Sequence, residues 1–137
     1  MGKAIAIKLA SLGANVVISD VIEENIDNTV KEIISNGGKA IGFKSDVTNG
    51  ESVDALMEKC KSEFGSLDIV NNAGITRDGL TMRMSDEQWD AVINVNLKGV
   101  FLCGRSAYKI MMKQKNGIII NIASIVGIIG NIGQTNY

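Results

Sequence analysis

Four short runs rich in β-branched residues punctuate the chain: "NVVISD" (15–20), "KAIGFKSDV" (39–47), "LDIVNNAG" (67–74) and "GIIINIAS" (117–124). Between them lie longer stretches whose apolar residues recur at helical spacing. Strands that are apolar throughout, rather than alternating, belong in a parallel sheet covered on both faces by helices. The cadence therefore predicts an α/β chain with a doubly wound parallel sheet, and 137 residues at 45% hydrophobic suffice for one core and one domain.

The intervening segments carry their own start and stop signals. "GKAIAIKLASLGA" places Ile5, Leu9 and Leu12 on one stripe and stops at Gly13. A second helix is predicted over 21–35, closed by Asn36-Gly37-Gly38, and a third in "ESVDALMEKCKSEFG", ended by Gly65. Ser85 with Gln88 three residues on forms a capping box that opens "DEQWDAVINVN". A long helix over 97–113 follows, with a broad apolar face of Val100, Phe101, Gly104, Ala107, Tyr108 and Met111. The stretch after the last strand, "IVGIIGNIGQTNY", reads as a glycine-rich loop.

Composition removes several function classes. A formal charge of −1 with interspersed signs provides no footprint for nucleic acid or an anionic membrane. Histidine is absent, so acid–base chemistry must run through Tyr, Lys, Ser or carboxylates, and no metal site is expected. Cys60 and Cys103 stand at no ligand-type spacing and read as reduced thiols, in keeping with a cytoplasmic protein. No basic leader precedes an apolar core, and Asn121 and Ser124 interrupt the richest apolar stretch, which is too short to span a bilayer.

Ligands of open parallel sheets bind beyond the carboxyl ends of the strands, where Asp20, Asp46, Asn71 to Gly74 and Ser124 fall. An acidic residue closing such a strand can accept hydrogen bonds from an adenosine ribose and repel a 2′-phosphate; Asp20 lies close to the expected separation of about twenty residues from Gly2. It can equally cap the next helix.

"NNAG" (71–74), then "NVNLKGVF", then Ser124 and Tyr137 form an ordered series that resembles the short-chain dehydrogenase/reductase family along the whole chain. "NNAGITRDGLTMRMSDEQWDAVINVNLKGVF" is similar in particular to its 3-oxoacyl-acyl-carrier-protein reductases. The resemblance implies a Rossmann-like fold and NAD(P)H-dependent reduction of a 3-oxoacyl thioester to the 3-hydroxyacyl thioester in fatty acid synthesis. By the same resemblance, Tyr137 is the general acid, Ser124 orients the carbonyl oxygen, and Asn96 holds a water of the proton relay. Asp46 reaches the adenine amino group, Val47 contacts adenine through its backbone, and Asn72, Ala73 and Gly74 line the adenosine side. The cofactor is NAD(H) or NADP(H), with NAD(H) favoured by Asp20. Partners are an acyl carrier protein, steered by Lys109, Lys113 and Lys115, and further copies of the chain in a homotetramer. For Asn71 the expected task is to brace the strand–loop junction. Other readings are a different carbonyl or alcohol oxidoreductase of the family, and a non-catalytic remnant or interaction subunit.

The chain also departs from the family pattern. The family opens with an apolar strand and a T-G-x-x-x-G-x-G loop, of which Gly2 matches only the last glycine. "LDIVNNAG" is one apolar residue shorter than the usual strand, and no lysine follows Tyr137 to complete Y-x-x-x-K. Residues 1–137 thus read as a partial dinucleotide-binding domain trimmed at both ends, and the expectation is that it lacks turnover by itself.

Overall fold

The computed structural model describes residues 1–137. Helices α1 (Gly2–Ser11), α2 (Glu23–Ser35) and α3 (Gly50–Phe64) alternate with strands β1 (Asn15–Asp20), β2 (Lys39–Lys44) and β3 (Ile69–Asn71). A single turn of 3-10 helix, Thr81–Arg83, precedes α4 (Asp86–Val92), which runs through a π-helical stretch, Ile93–Gly99, into α5 (Val100–Gln114). Strand β4 (Ile119–Asn121) and a short α6 (Val126–Ile129) complete the order. The helix starts and stops follow the sequence signals. Ser85 accepts from Gln88 N while the Gln88 side chain accepts from Ser85 N, closing the capping box. Asn49 caps α3 by accepting from Ser52 N at 3.0 Å, and Gly65 ends that helix at φ 77°, a left-handed conformation that favours glycine.

All strand pairing is parallel, as the cadence implies, but the sheet is not continuous. β1 pairs with β2 in the register Asn15↔Lys39 to Asp20↔Lys44, and β3 pairs with β4 from Ile69↔Ile119 to Asn71↔Asn121. The result is two separate two-stranded sheets. Each has its own apolar centre. Ala10 of α1, Ile33 of α2 and Ala40 of β2 pack together beneath the first sheet. Val53 and Met57 of α3, Leu67, and Leu102, Cys103, Ala107 and Met111 of α5 form the larger cluster beside the second. Within that helix pair, Ser106 Oγ donates to Asp54 Oδ1 at 2.5 Å.

The expectation that every strand is covered on both faces is therefore corrected: β4 is exposed along its length. The accessible surface is 8781 Å², against about 6,900 Å² for a compact monomer of this mass. The excess has an apolar component, because Leu97, Phe101, Tyr108 and Met112 line one outward stripe of the π–α5 helix. Arg105 lies over the Phe101 ring at 5.2 Å within that stripe.

Candidate active site

Parallel pairing places the carboxyl ends of the strands, and the residues that follow them, on one rim of each sheet. The first rim carries Asp20 and the turn 45–49. Asp20 Oδ1 accepts from Ile22 N at 2.9 Å, and Oδ2 takes a long 3.5 Å contact from Asn25 Nδ2. Its carboxylate is thus engaged with the approach to α2, and the preference for NAD(H) that the sequence suggested draws no support from this arrangement. Asp46 Oδ1 accepts from both Thr48 N, at 2.8 Å, and Thr48 Oγ1, at 2.7 Å, while Asp46 N donates to Ser52 Oγ. That net of short bonds fixes the turn and seats Val47 on Gly99, where an added Cβ would lie 2.9 Å from Val47 Cγ2.

On the second rim, Asn71 is buried and its Nδ2 donates to Asn121 Oδ1 at 2.8 Å, joining residues that face each other in the β3–β4 register. Asn72, Ala73 and Gly74 follow, all exposed. Gly2 stands against Asn72, so closely that a Cβ there would meet Asn72 Nδ2 at 2.6 Å. The N-terminal turn of α1, where backbone N–H groups attract an anion, is thereby brought to this rim. The arrangement fits the phosphate end of a dinucleotide, with Asn72 to Gly74 beside it.

Asn96 lies in the π-helical stretch, where its side chain is paired twice with one residue: Oδ1 accepts from Ile75 N at 2.9 Å and Nδ2 donates to Ile75 O at 2.9 Å. Gly74 lies against the same amide. This side chain is committed to the loop that follows β3. π-Helical turns of this kind occur at functional sites because they redirect a side chain out of the helical ladder.

Ser124 Oγ accepts from Val126 N at 3.2 Å, which leaves its proton available to a carbonyl oxygen. Tyr137 is partly exposed, and its phenol has no hydrogen-bond partner within the chain. No hydrogen bond joins Ser124, Asn96 and Tyr137 to one another. No cluster of three or more His, Cys, Asp or Glu side chains has metal-site geometry.

Sequence reasoning missed how the segment bearing Tyr137 is anchored. Gly79 N donates to Gly133 O at 2.8 Å, Thr81 Oγ1 and Thr135 Oγ1 are 2.6 Å apart, and Gln134 Nε2 donates to Asp78 Oδ1 at 3.1 Å. Asn136, buried, donates to Arg77 O at 3.0 Å and to Gln88 O at 3.1 Å. The only signal in the sequence is the density of amide and hydroxyl side chains in "GQTNY", which names no partner.

The frame is α/β with parallel strand pairing throughout, and a serine and a tyrosine stand in the loops after its last strand. The chain matches the short chain dehydrogenase family over residues 1–137 and is a member of it. It is 48% identical over 138 residues to the 3-oxoacyl-(acyl-carrier-protein) reductase FabG of Thermotoga maritima. It is 49% identical over 139 residues to the 3-oxoacyl-(acyl-carrier-protein) reductase of a Synechocystis species, and 45% identical to the Staphylococcus aureus FabG. Each match covers 100% of this chain and 56% of the relative. The chain thus spans little more than half the length of these curated relatives.

Proposed function

We propose that this chain forms part of an NAD(P)H-dependent reductase that converts a 3-oxoacyl thioester carried on an acyl carrier protein into the 3-hydroxyacyl thioester. The observation that carries this is the likeness, near one residue in two over the entire chain, to proteins named for that reaction. A bound nicotinamide would supply the hydride that the C3 carbonyl carbon takes up. Tyr137 gives the oxygen its proton, and the free Ser124 hydroxyl donates to that oxygen as it gains charge. Asn96 acts by holding the Ile75 backbone, and through it the 72–74 segment, in place. Asp46 and Val47 serve the adenine side, and Asn72, Ala73 and Gly74 the adenosine and phosphates. The cofactor is NAD(H) or NADP(H).

The outward stripe of Leu97, Phe101, Tyr108 and Met112 supports self-association into a homotetramer. Lys109, Lys113 and Lys115, along and just past the end of α5, suit an acidic carrier protein. No helix is long and apolar enough to cross a membrane; with two free thiols, this supports a cytoplasmic setting.

The test is turnover of a 3-oxoacyl-acyl-carrier-protein by the protein as its gene encodes it, followed by loss of reduced nicotinamide. Tyr137→Phe should lower kcat by about 100-fold or more. A protein that reduces simple ketones but no carrier-bound 3-oxoacyl thioester would move the assignment to another carbonyl reductase. Wild-type kcat in Tyr137→Phe would remove the role given to that phenol.

A further inference from the structure

We propose that Asn136 is a positioning residue for the reaction, its buried amide fixing the chain segment from which the Tyr137 phenol projects. This presupposes Tyr137 as the proton donor. Asn136 is 5% exposed, and its Nδ2 donates to carbonyls of two separate elements, Arg77 O in the loop after β3 and Gln88 O in α4. Those partners are 59 and 48 residues away in sequence, so one side chain pins three parts of the fold together. The amide oxygen, buried as well, has no donor. An unpaired buried acceptor is unfavourable, and a small apolar residue at 136 would avoid it; what the asparagine adds is its pair of donations.

The next residue's Cα carries the phenol, and Tyr137 N closes a turn by donating to Gln134 O at 3.1 Å. The backbone on one side of the tyrosine is thus held at two points, while its ring makes no hydrogen bond that would fix it independently. Proton transfer in line with hydride arrival requires near-attack placement, and a displacement of about 1 Å costs on the order of 100-fold. The residues assigned to the cofactor, Asp46, Val47 and Asn72 to Gly74, make none of their hydrogen bonds to Asn136. Loss of the clamp should therefore act on kcat and spare cofactor binding.

Asn136→Asp tests this with almost no change of shape, replacing the double donor by an oxygen that faces two carbonyls. In the protein as its gene encodes it, kcat should fall about 10- to 100-fold, with KM for the thioester and Kd for the cofactor within about threefold of wild type. Asn136→Ser, with one donor on a shorter arm, should lie between. A kcat within twofold of wild type for Asn136→Asp would overturn the role. So would a parallel loss of kcat and cofactor affinity, or failure of both variants to fold, since the amide would then serve the fold at large. Tyr137→Phe in the same assays separates the two readings: an active Tyr137→Phe enzyme refutes the proton-donor assignment, whereas an inactive one beside an unaffected Asn136→Asp refutes only the clamp.

Discussion

Replacing Asn96 tests whether its side chain is a lock or a water holder. In the structure both ends of the amide are spent on Ile75, at 2.9 Å each, and Ile75 is half-buried. Asn96→Leu keeps the size and removes both bonds, leaving one N–H and one C=O with restricted access to water. Each such group costs about 1–3 kcal/mol when fully buried; with Ile75 partly exposed, a total of about 2–3 kcal/mol is expected. That is a large share of the ~5–15 kcal/mol that holds a domain together. With a urea m-value of about 2 kcal/mol/M, the unfolding midpoint should drop by about 1–1.5 M. Exchange of the Ile75 amide hydrogen should accelerate, and cofactor affinity should weaken because Asn72 to Gly74 adjoin the loosened loop. Asn96→Asp sharpens the test. Its carboxylate still accepts from Ile75 N but opposes Ile75 O. On protonation, below about pH 4, it regains a donor, so its deficit relative to wild type should shrink as pH falls. An Asn96→Leu protein with an unchanged midpoint and unchanged Ile75 exchange, yet reduced kcat, would refute the lock.

Two further outcomes follow from packing and burial. Gly42→Ala sets a Cβ 2.4 Å from Ile26 Cγ2, on a side chain only 3% exposed; it should cost about 1–3 kcal/mol in a denaturant melt, with the clash relieved when Ile26→Ala is added, and fully additive costs would refute it. Burial pushes the Cys103 thiol up to about 11 from an ordinary value near 9. Between those pH values the unfolded chain releases a proton that the folded chain keeps, so stability should decline as pH rises, by up to about 1.4 kcal/mol per pH unit. Cys103→Ala should flatten that decline; an unchanged slope would show that the thiol does not contribute.

Local signals carried much of the fold. The Ser85–Gln88 box and the Gly65 stop are written in residues that touch, so the sequence displays both partners. The helix–strand cadence likewise announces parallel pairing. The lack of the family's opening strand, legible in the sequence, fits where pairing stops: β1 and β3 each have a single partner. The π-helical stretch was hidden, since Asn96 leaves the helical ladder to meet a backbone 21 residues away, and "INVNLKG" keeps an ordinary helical pattern. Within "IVGIIGNIGQTNY", read as loop throughout, α6 is a single turn of four residues, too short for its apolar spacing to mark it. Motif order picked out Ser124, Asn96 and Tyr137 as candidates. The engagement of Asp20 with Ile22 N is local and was one of the two readings its position offers, whereas the Asn71–Asn121 pair and the Asn136 clamp depend on tertiary geometry that no spacing encodes.

Splitting the sheet in two leaves four strand edges where a single sheet would have two, and one of them is hazardous. Ile118, Ile119, Ile120 and Ile122 are all exposed in a run without charge or proline, the composition that templates strand addition between chains and amyloid-like stacking. Lys113 and Lys115 stand just before it, where charged residues oppose strand addition. For the 137-residue chain, reversing the charge of these lysines should therefore favour precipitation, read as light scattering against the unaltered chain.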